Sequence, residues 1–400
     1  MGKKIRFLHT GDTHNGYSGN ASSHNEFEEL KVNKTTESGL NIRTDDVNKA
    51  FAQVIDIAIE EDVDFVTHSG DGMNHWGYKH PAQFNFYMKH VKRFTDLGKH
   101  WFEIAGNHNF AKKSEVGSDL FKLSLLPNVT TVYKGFYEQY EIPGTNVICH
   151  GLPSSFNKDV FQSELKKINK VDDKINILVA HCGVSTIPQY TNNESSIVVH
   201  LDDLVNLQMD YVALGDFHRF TDLGHNIIYP GPIEHLAFGQ EENPRVLIVE
   251  IDTETKEVTI KHRFLNVRPM IDMKPIDAKN KELKNIQEQI LKRFKECDVD
   301  GAIVRLRIEN LSKSLKHRHL FLTDEIREQI DRCLYFKFEF KNKIELSESI
   351  RLKDDIPFES LQDGLTSFIN QMPEDPNYSI NELQSCAAKY LSEVLENDFE

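Results

Sequence analysis

Apolar runs along this chain repeatedly break off at a glycine, and residues that bind protons or metals follow. Residues 4–9 read as a strand ending in Thr10-Gly11-Asp12-Thr13-His14. From Asp45 a helix follows, with Val47, Ala50, Phe51, Val54, Ile55 and Ala58 at helical spacing. Residues 63–68 form a second strand, ending in Ser69-Gly70-Asp71-Gly72. A helix over 81–97 sets Phe84, Met88, Val91 and Phe94 on one face, and strand 101–105 ends in Gly106-Asn107-His108-Asn109. The pattern returns at 147–150 before Gly151-Leu152-Pro153, at 175–180 before His181, and at 211–214 before Gly215-Asp216-Phe217-His218. Strands then dominate, at 226–229, 245–251 and 257–264. The alternation predicts a layered α/β domain over residues 1–265 whose strand ends converge on one rim. Such rims are where open α/β sheets carry their chemistry.

Residues 18–44 are polar and without a period, which reads as a long functional loop. The character changes after 265. A helix near 281–296 carries Leu283, Ile286, Ile290 and Phe294, strand 302–308 alternates apolar residues with arginine, and 334–341 alternates Phe336, Phe338 and Phe340 with charge. This predicts a small α+β unit over 266–345. Lys313, Lys316, His317, Arg318 and His319 form a basic loop in it, either solvated or touching a phosphate backbone. Residues 346–400 read as helical: Phe358, Leu361, Leu365, Phe368, Ile369 and Met372 share a face, Pro373 and Pro376 interrupt, and Ser379 to Glu382 fit a capping box. That segment is either a hairpin packed on the body or a partner-binding arm.

Composition narrows the class. Hydrophobic content of 39% and charged content of 27% describe a soluble globular chain. No apolar run approaches the ~20 residues of a membrane span, and no signal-peptide core follows the basic start, so a cytoplasmic protein is expected. Five scattered cysteines without a Cys-x-x-Cys argue against a disulfide framework or thiolate zinc. The formal charge of −15 leaves room for nucleic acid only through a local basic cleft, bound cations or a partner.

The strand ends supply Asp12, His14, Asp71, Asn107, His108, His181, Asp216 and His218. Each alone reads as an edge or turn residue. Together they form an oxygen and nitrogen donor set suited to Mn²⁺, Fe²⁺ or Zn²⁺. In this order they resemble the calcineurin-like metallophosphoesterase superfamily, over roughly residues 4–265. Arg43-x-Asp45-x-x-x-x-Ala50-Phe51, Tyr211-Val-Ala-Leu-Gly and Tyr229-Pro-Gly-Pro-Ile-Glu234 are similar to the SbcD-type DNA double-strand-break repair nucleases within it, the counterparts of meiotic recombination eleven.

The resemblance implies a layered β-sandwich flanked by helices, an α+β cap domain (266–345) and C-terminal helices (346–400) that grip a partner. It implies two divalent cations, Mn²⁺ first, with Fe²⁺, Zn²⁺ or Mg²⁺ as alternatives. One would be held by Asp12, His14, Asp71 and His218, the other by Asp71, Asn107, His181 and position 216. His108 would serve the leaving oxygen in two-metal phosphodiester hydrolysis without a protein nucleophile. Also implied are DNA ends and single strands as substrates, a homodimer, a coiled-coil SbcC-type ATPase partner and a place at the nucleoid. Three positions depart from the pattern. Asp216 replaces the usual histidine. Asn74 replaces a substrate-facing histidine, with His75 next to it as a substitute. Asn109 stands where an acid often orients the catalytic histidine. Two other readings follow: a phosphatase or small-molecule phosphodiesterase, and a weakly catalytic DNA-end-binding scaffold subunit.

Overall fold

The apolar runs become strands in the computed structural model of the protein. It describes residues 4–19, 32, 34–74, 81–109, 118–155, 157–190, 197–240, 242–311, 315 and 318–341, with 369–370, 379–380 and 383–385 further on. In chain order, β1 (Lys4–Thr10) leads to α1 (Ile42–Glu60), β2 (Phe65–His68), α2 (Pro81–Thr95) and β3 (His100–Ile104). Then come α3 (Asp119–Leu123), β4 (Val129–Val132), β5 (Glu138–Glu141), β6 (Val147–Leu152), α4 (Lys158–Leu165) and β7 (Ile175–His181). A short pair, β8 (Gly183–Val184) and β9 (Val198–Val199), precedes α5 (Leu201–Asn206), β10 (Tyr211–Gly215), β11 (Thr221–Asp222) and β12 (Ile227–Tyr229). β13 (Arg245–Asp252) and β14 (Val258–Phe264) complete the larger part.

Two six-stranded sheets result, ordered β14-β13-β1-β2-β3-β4 and β11-β12-β10-β7-β6-β5. β1 to β4 run parallel, as do β12, β10, β7 and β6. The sheets face each other through one buried cluster. Phe7, Phe65 and Phe102 come from the first sheet, and Cys149, Ile177, Val179 and Tyr211 from the second. The first sheet's outer face (Leu8, Val66, Trp101) is covered by α1 and α2 through Phe51, Val54, Tyr87 and Phe94. The second sheet's outer face (Leu178, Val212) is covered by α4 and α5 through Phe161, Leu165 and Leu204. Both faces of each central strand are therefore dry, which is why their sequences are near-continuous apolar runs rather than alternating ones.

α1 begins at Ile42, three residues before the expected start. The Asn41 side chain accepts hydrogen bonds from Arg43 N–H (2.8 Å) and Thr44 N–H (3.3 Å), adding a polar first turn that apolar spacing does not reveal. Asn41→Ala is expected to lower unfolding stability by about 1 kcal/mol in a denaturant titration.

After β14 a third sheet is built from β15 (Met270–Asp277), α6 (Leu283–Lys295), β16 (Ile303–Glu309), α7 (Asp324–Arg332) and β17 (Tyr335–Lys341). Its order is β15-β16-β17, parallel throughout. Val304, Leu306 and Ile308 of β16 meet Ile286, Ile290 and Ile326 of the helices. The alternate positions Ile303 and Arg305 meet Phe238, which follows β12. β15 escapes a sequence reading because Pro275 interrupts it. The proline sits on the edge strand where the register shifts between Met273 and Ile276, the position in a sheet that tolerates one.

Residues 342–400 form a separate compact unit. The helical stripe expected there lies almost wholly outside the described residues, and so do His75, Lys313, Lys316 and His317. Among the described residues no helix is long and apolar enough to cross a membrane.

Candidate metal centre

Five parallel strands deliver the candidate side chains to one edge of the sandwich. β1 ends before Asp12 and His14, β2 before Asp71, β3 before Asn107 and His108, and β10 before Asp216 and His218, while His181 is the last residue of β7. β1, β2 and β3 are neighbours in one sheet and β7 and β10 in the other, so the two loop sets meet across the sandwich. The first two loops continue the ladder beyond their strands: Asp12 N–H donates to Gly70 O, His14 N–H to Asp71 O and Asn15 N–H to Gly72 O, each at 2.9 Å. Asn74 N–H returns to Asn15 O at 3.0 Å.

These loops are held in costly shapes. Asp12, His14, Asp71 and Asp216 all have positive φ, at 50°, 46°, 55° and 100°. Such strain costs on the order of 1–3 kcal/mol per residue and gathers at functional sites. Two glycines make the close approach possible. A Cβ on Gly106 would stand 2.1 Å from Asp71 Oδ1, and one on Gly70 would stand 2.4 Å from His181 Nδ1.

The polar atoms converge on one another at hydrogen-bonding distances. His14 Nδ1 lies 3.2 Å from Asn74 Oδ1, to which it donates, so the lone pair of its Nε2 is turned inward. That Nε2 meets His218 Nε2 at 3.2 Å and Asp71 Oδ2 at 3.8 Å. His181 Nδ1 donates to Ser69 O at 2.8 Å, and its Nε2 faces Asn107 Oδ1 at 3.0 Å, Asp71 Oδ2 at 3.5 Å and Asp216 Oδ1 at 3.6 Å. Asp12 accepts Asp216 N–H at 3.1 and 3.2 Å. Three sets of potential ligand atoms lie within 4.8 Å of one another: Asp12, His14 and His218; Asp12, Asp71 and His181; His14, Asp71 and His108. Among these described residues Asp12, His14 and Asp71 each belong to two sets.

Electrostatics shows what the pocket lacks. Burial pushes the Asp12 carboxyl up to about 8; His181 counters this, while Asp71 and Asp216 add to it. Burial also holds His14 well below its ordinary value, and His108, His218 and His181 push the same way, so its imidazole is neutral. Burial opposes a charge on His181 as well, but Asp71, Asp12 and Asp216 outweigh it and raise its pKa. Three carboxyl groups crowd together beside the neutral His14 and draw on His181 for charge, so this oxygen and nitrogen donor set is short of positive charge. The donor set fits divalent cations of the Mn²⁺, Fe²⁺ or Zn²⁺ kind.

The second group of expected residues takes positioning geometry. Asn74, expected to face substrate, is buried, with its Oδ1 on His14 and its carbonyl 2.9 Å from His108 Nδ1. Asn109 does not orient His108. Its Oδ1 accepts Gly106 N–H at 2.6 Å and so pins the turn that carries Asn107. His108 is fixed instead from both ends, by Asn74 O and by its own N–H to Asp71 Oδ1 at 2.8 Å. Sequence reasoning missed Tyr190, whose hydroxyl donates to Asp216 Oδ2 at 2.6 Å. It comes from a short 3-10 turn, Pro188–Tyr190, that no motif marks.

Comparison with known proteins agrees with this geometry. The calcineurin-like phosphoesterase family model matches residues 5–220, a span that contains every candidate ligand. The DNA double-strand break repair protein Mre11 of Sulfurisphaera tokodaii is 27% identical over 221 residues, covering 54% of this chain and 49% of that protein. Its namesake in Thermoplasma acidophilum is 27% identical over 262 residues, covering 60% and 65%. The one in Sulfolobus acidocaldarius is 22% identical over 388 residues, covering 91% and 90%. The chain thus spans about half the length of the first of these relatives. With all five ligand-bearing strand ends inside the matched span, the chain belongs to the calcineurin-like phosphoesterase family of metal-dependent phosphoesterases.

Proposed function

We propose that this protein is a DNA exonuclease and endonuclease of double-strand-break repair that hydrolyses phosphodiesters with two divalent cations, Mn²⁺ foremost. The observation that carries the reading is the inward turn of His14 Nε2 and His181 Nε2 onto Asp71, one towards each end of the cluster. Asp12, His14, Asp71 and His218 would hold the first cation, and Asp71, Asn107, His181 and Asp216 the second. Bound there, the cations would draw charge from the scissile phosphate and acidify the attacking water.

The chain's own groups do the rest. Asn74 and Ser69 set the tautomers of His14 and His181. With its Nδ1 proton engaged by Asn74 O, His108 aims Nε2 away from that bond; a proton taken up there from water makes the imidazolium, which can then protonate the leaving oxygen and return to the neutral Nδ1–H ring. Cys149 and Cys182 offer no rival nucleophile, because burial raises both thiols far above neutrality. We propose further that 1–265 is the nuclease domain, 266–345 a cap and 346–400 an arm for an SbcC-type ATPase. The protein would act as a homodimer at the nucleoid on double-stranded ends and single strands. The names of the relatives support this substrate class.

Cleavage of labelled single- and double-stranded DNA by the purified protein in Mn²⁺, against EDTA, tests the reading. Faster turnover of a chromogenic phosphomonoester than of DNA would replace it with a phosphatase. Binding of DNA ends without any cutting would replace it with a scaffold subunit.

Asp216→His is expected to raise kcat, by up to about tenfold. The present carboxylate, tied to Tyr190, adds a third negative charge beside Asp12 and Asp71 and blunts the electron-withdrawing power of a cation there. Steady-state rates across a Mn²⁺ titration check this. An unchanged or lower kcat would make Asp216 a working ligand as it stands.

A further inference from the structure

The alternation of apolar residues with arginine in β16 has an outlet. Where that strand faces the sandwich, a pocket of about 390 Å³ opens, and it reaches His218 of the metal centre. Arg219, Arg245, Arg305 and Arg307 line it against only two carboxylates, Glu242 and Asp272. This is a local cationic excess on a chain of formal charge −15. Asp272 is shared by Arg305 (2.6 Å) and Arg307 (3.2 Å), Glu339 from the next strand also meets Arg305 (3.4 Å), and Glu242 takes Arg245 (2.6 Å), which leaves the excess on Arg219. Arg219 has no carboxylate partner among the described residues. It is exposed, follows His218 directly and gives one N–H to Gly239 O at 2.8 Å.

One wall is aromatic. Phe220 lines the pocket, with the Arg245 guanidinium 4.8 Å from its ring centre. The same guanidinium lies 4.9 Å from the ring of Phe264, which is 58% exposed. The Phe220 ring also meets His262 edge-on at 4.8 Å between centres, so the wall offered to a base is the composite of ring and guanidinium. Cationic groups for a phosphate and this wall for a base, in a space at the lower end of small-ligand sites, match one nucleotide rather than a stacked duplex. We propose that this pocket is a subsite for a nucleotide of an unpaired strand next to the scissile phosphate. The base stacks on the Phe220–Arg245 wall and the phosphate is held by Arg219 and Arg307. The proposal rests on the nuclease reading and adds that the strand is single where it leaves the metal centre.

Binding in EDTA separates the subsite from catalysis. Fluorescence anisotropy of the full chain with labelled oligothymidylate of about eight nucleotides, within the span of single-strand sites, is compared with an abasic strand of equal length. Phe220→Leu, which keeps apolar volume but removes the ring, is expected to raise Kd for oligothymidylate by roughly 5- to 100-fold and leave the abasic strand unchanged. Arg219→Gln, an exposed change that does not threaten the fold, is expected to weaken both strands and lower the salt slope by about one. Thymidine monophosphate distinguishes the source of the nucleotide: a response to the variants by the oligonucleotide alone means a strand, by both a free nucleotide as well, and either supports the subsite. Two variants that bind like the parent overturn it, and if the parent still cuts DNA in Mn²⁺ the nuclease reading stands. A parent that binds through these residues but never cuts reverses that outcome.

Discussion

Asp71→Asn is expected to lower phosphodiester cleavage by on the order of 10³-fold or more, through kcat. Asp71 is the carboxylate that faces both inward-turned histidines, with Oδ2 3.8 Å from His14 Nε2 and 3.5 Å from His181 Nε2. An amide there binds a cation far more weakly, and the charge stabilisation given up amounts to several kcal/mol. The same substitution separates function from fold. In the parent, Mn²⁺ at a hundredfold excess over Kd should stabilise the folded state by about 2.7 kcal/mol, read as a rise in Tm. In the variant that rise should vanish. Without cation, however, the variant should melt no lower than the parent. The charge of Asp71 helps to push the Asp12 carboxyl up, which offsets the loss of its attraction for His181, and Asn can still accept His108 N–H. A variant that melts well below the cation-free parent would show Asp71 to be a structural residue. One that keeps the Mn²⁺ response would remove it from the ligand set.

The second large effect lies away from the metal centre. Arg43→Met is expected to destabilise the fold by about 3–5 kcal/mol, the usual result of removing one partner from a buried ionic network. Arg43 is wholly buried in the first turn of α1. It binds Asp46 at 2.8 Å, Glu234 at 3.5 Å and the carbonyl of His235, while Arg268 holds Asp46 from the other side at 2.7 and 2.8 Å. The network joins α1, the loop after β12 and the connection into β15. Burial already pushes Glu234 up to about 7, with Arg43 restraining it. Removing the guanidinium raises that value further. A carboxyl whose folded pKa exceeds its unfolded one supports the fold fully only below the unfolded pKa, near 4.5, and its support fades as pH rises through the folded pKa. The deficit of the variant should therefore be smaller at pH 5 than at pH 8, in denaturant titrations at both. A deficit independent of pH would assign the loss to packing alone.

Arg43 also shows what a sequence can and cannot reveal. Arg43, Asp45, Ala50 and Phe51 were recognisable as a spaced motif, but their purpose needed coordinates: the partners of Arg43 include Glu234, 191 positions away. The strands that carry ligands were legible because both their faces are buried and a glycine follows four of the five apolar runs, the run before His181 being the exception. The edges were not. β4 and β5 alternate weakly, β15 is broken by Pro275, and α7 has only Ile326 and Ile330 as an apolar stripe. Within the site, residue types and order were visible at the strand ends. Tautomers, and the tyrosine on Asp216, depend on contacts between loops far apart in sequence, as with Ser69 and His181.

The neighbour of β1 has a consequence for how the protein is made. β1 pairs on one side with β2 but on the other with β13, and Lys4 and Glu250 are bonded across 246 positions. At ~5–20 residues per second, a ribosome takes on the order of 10–50 s to deliver that partner. For that interval a buried apolar strand has an open edge, with the backbone groups that recruit foreign strands. The metal-binding loops, all encoded before residue 220, are thus synthesised before the sheet that supports them can close. Chaperone dependence during translation should exceed that of the finished, refolded chain.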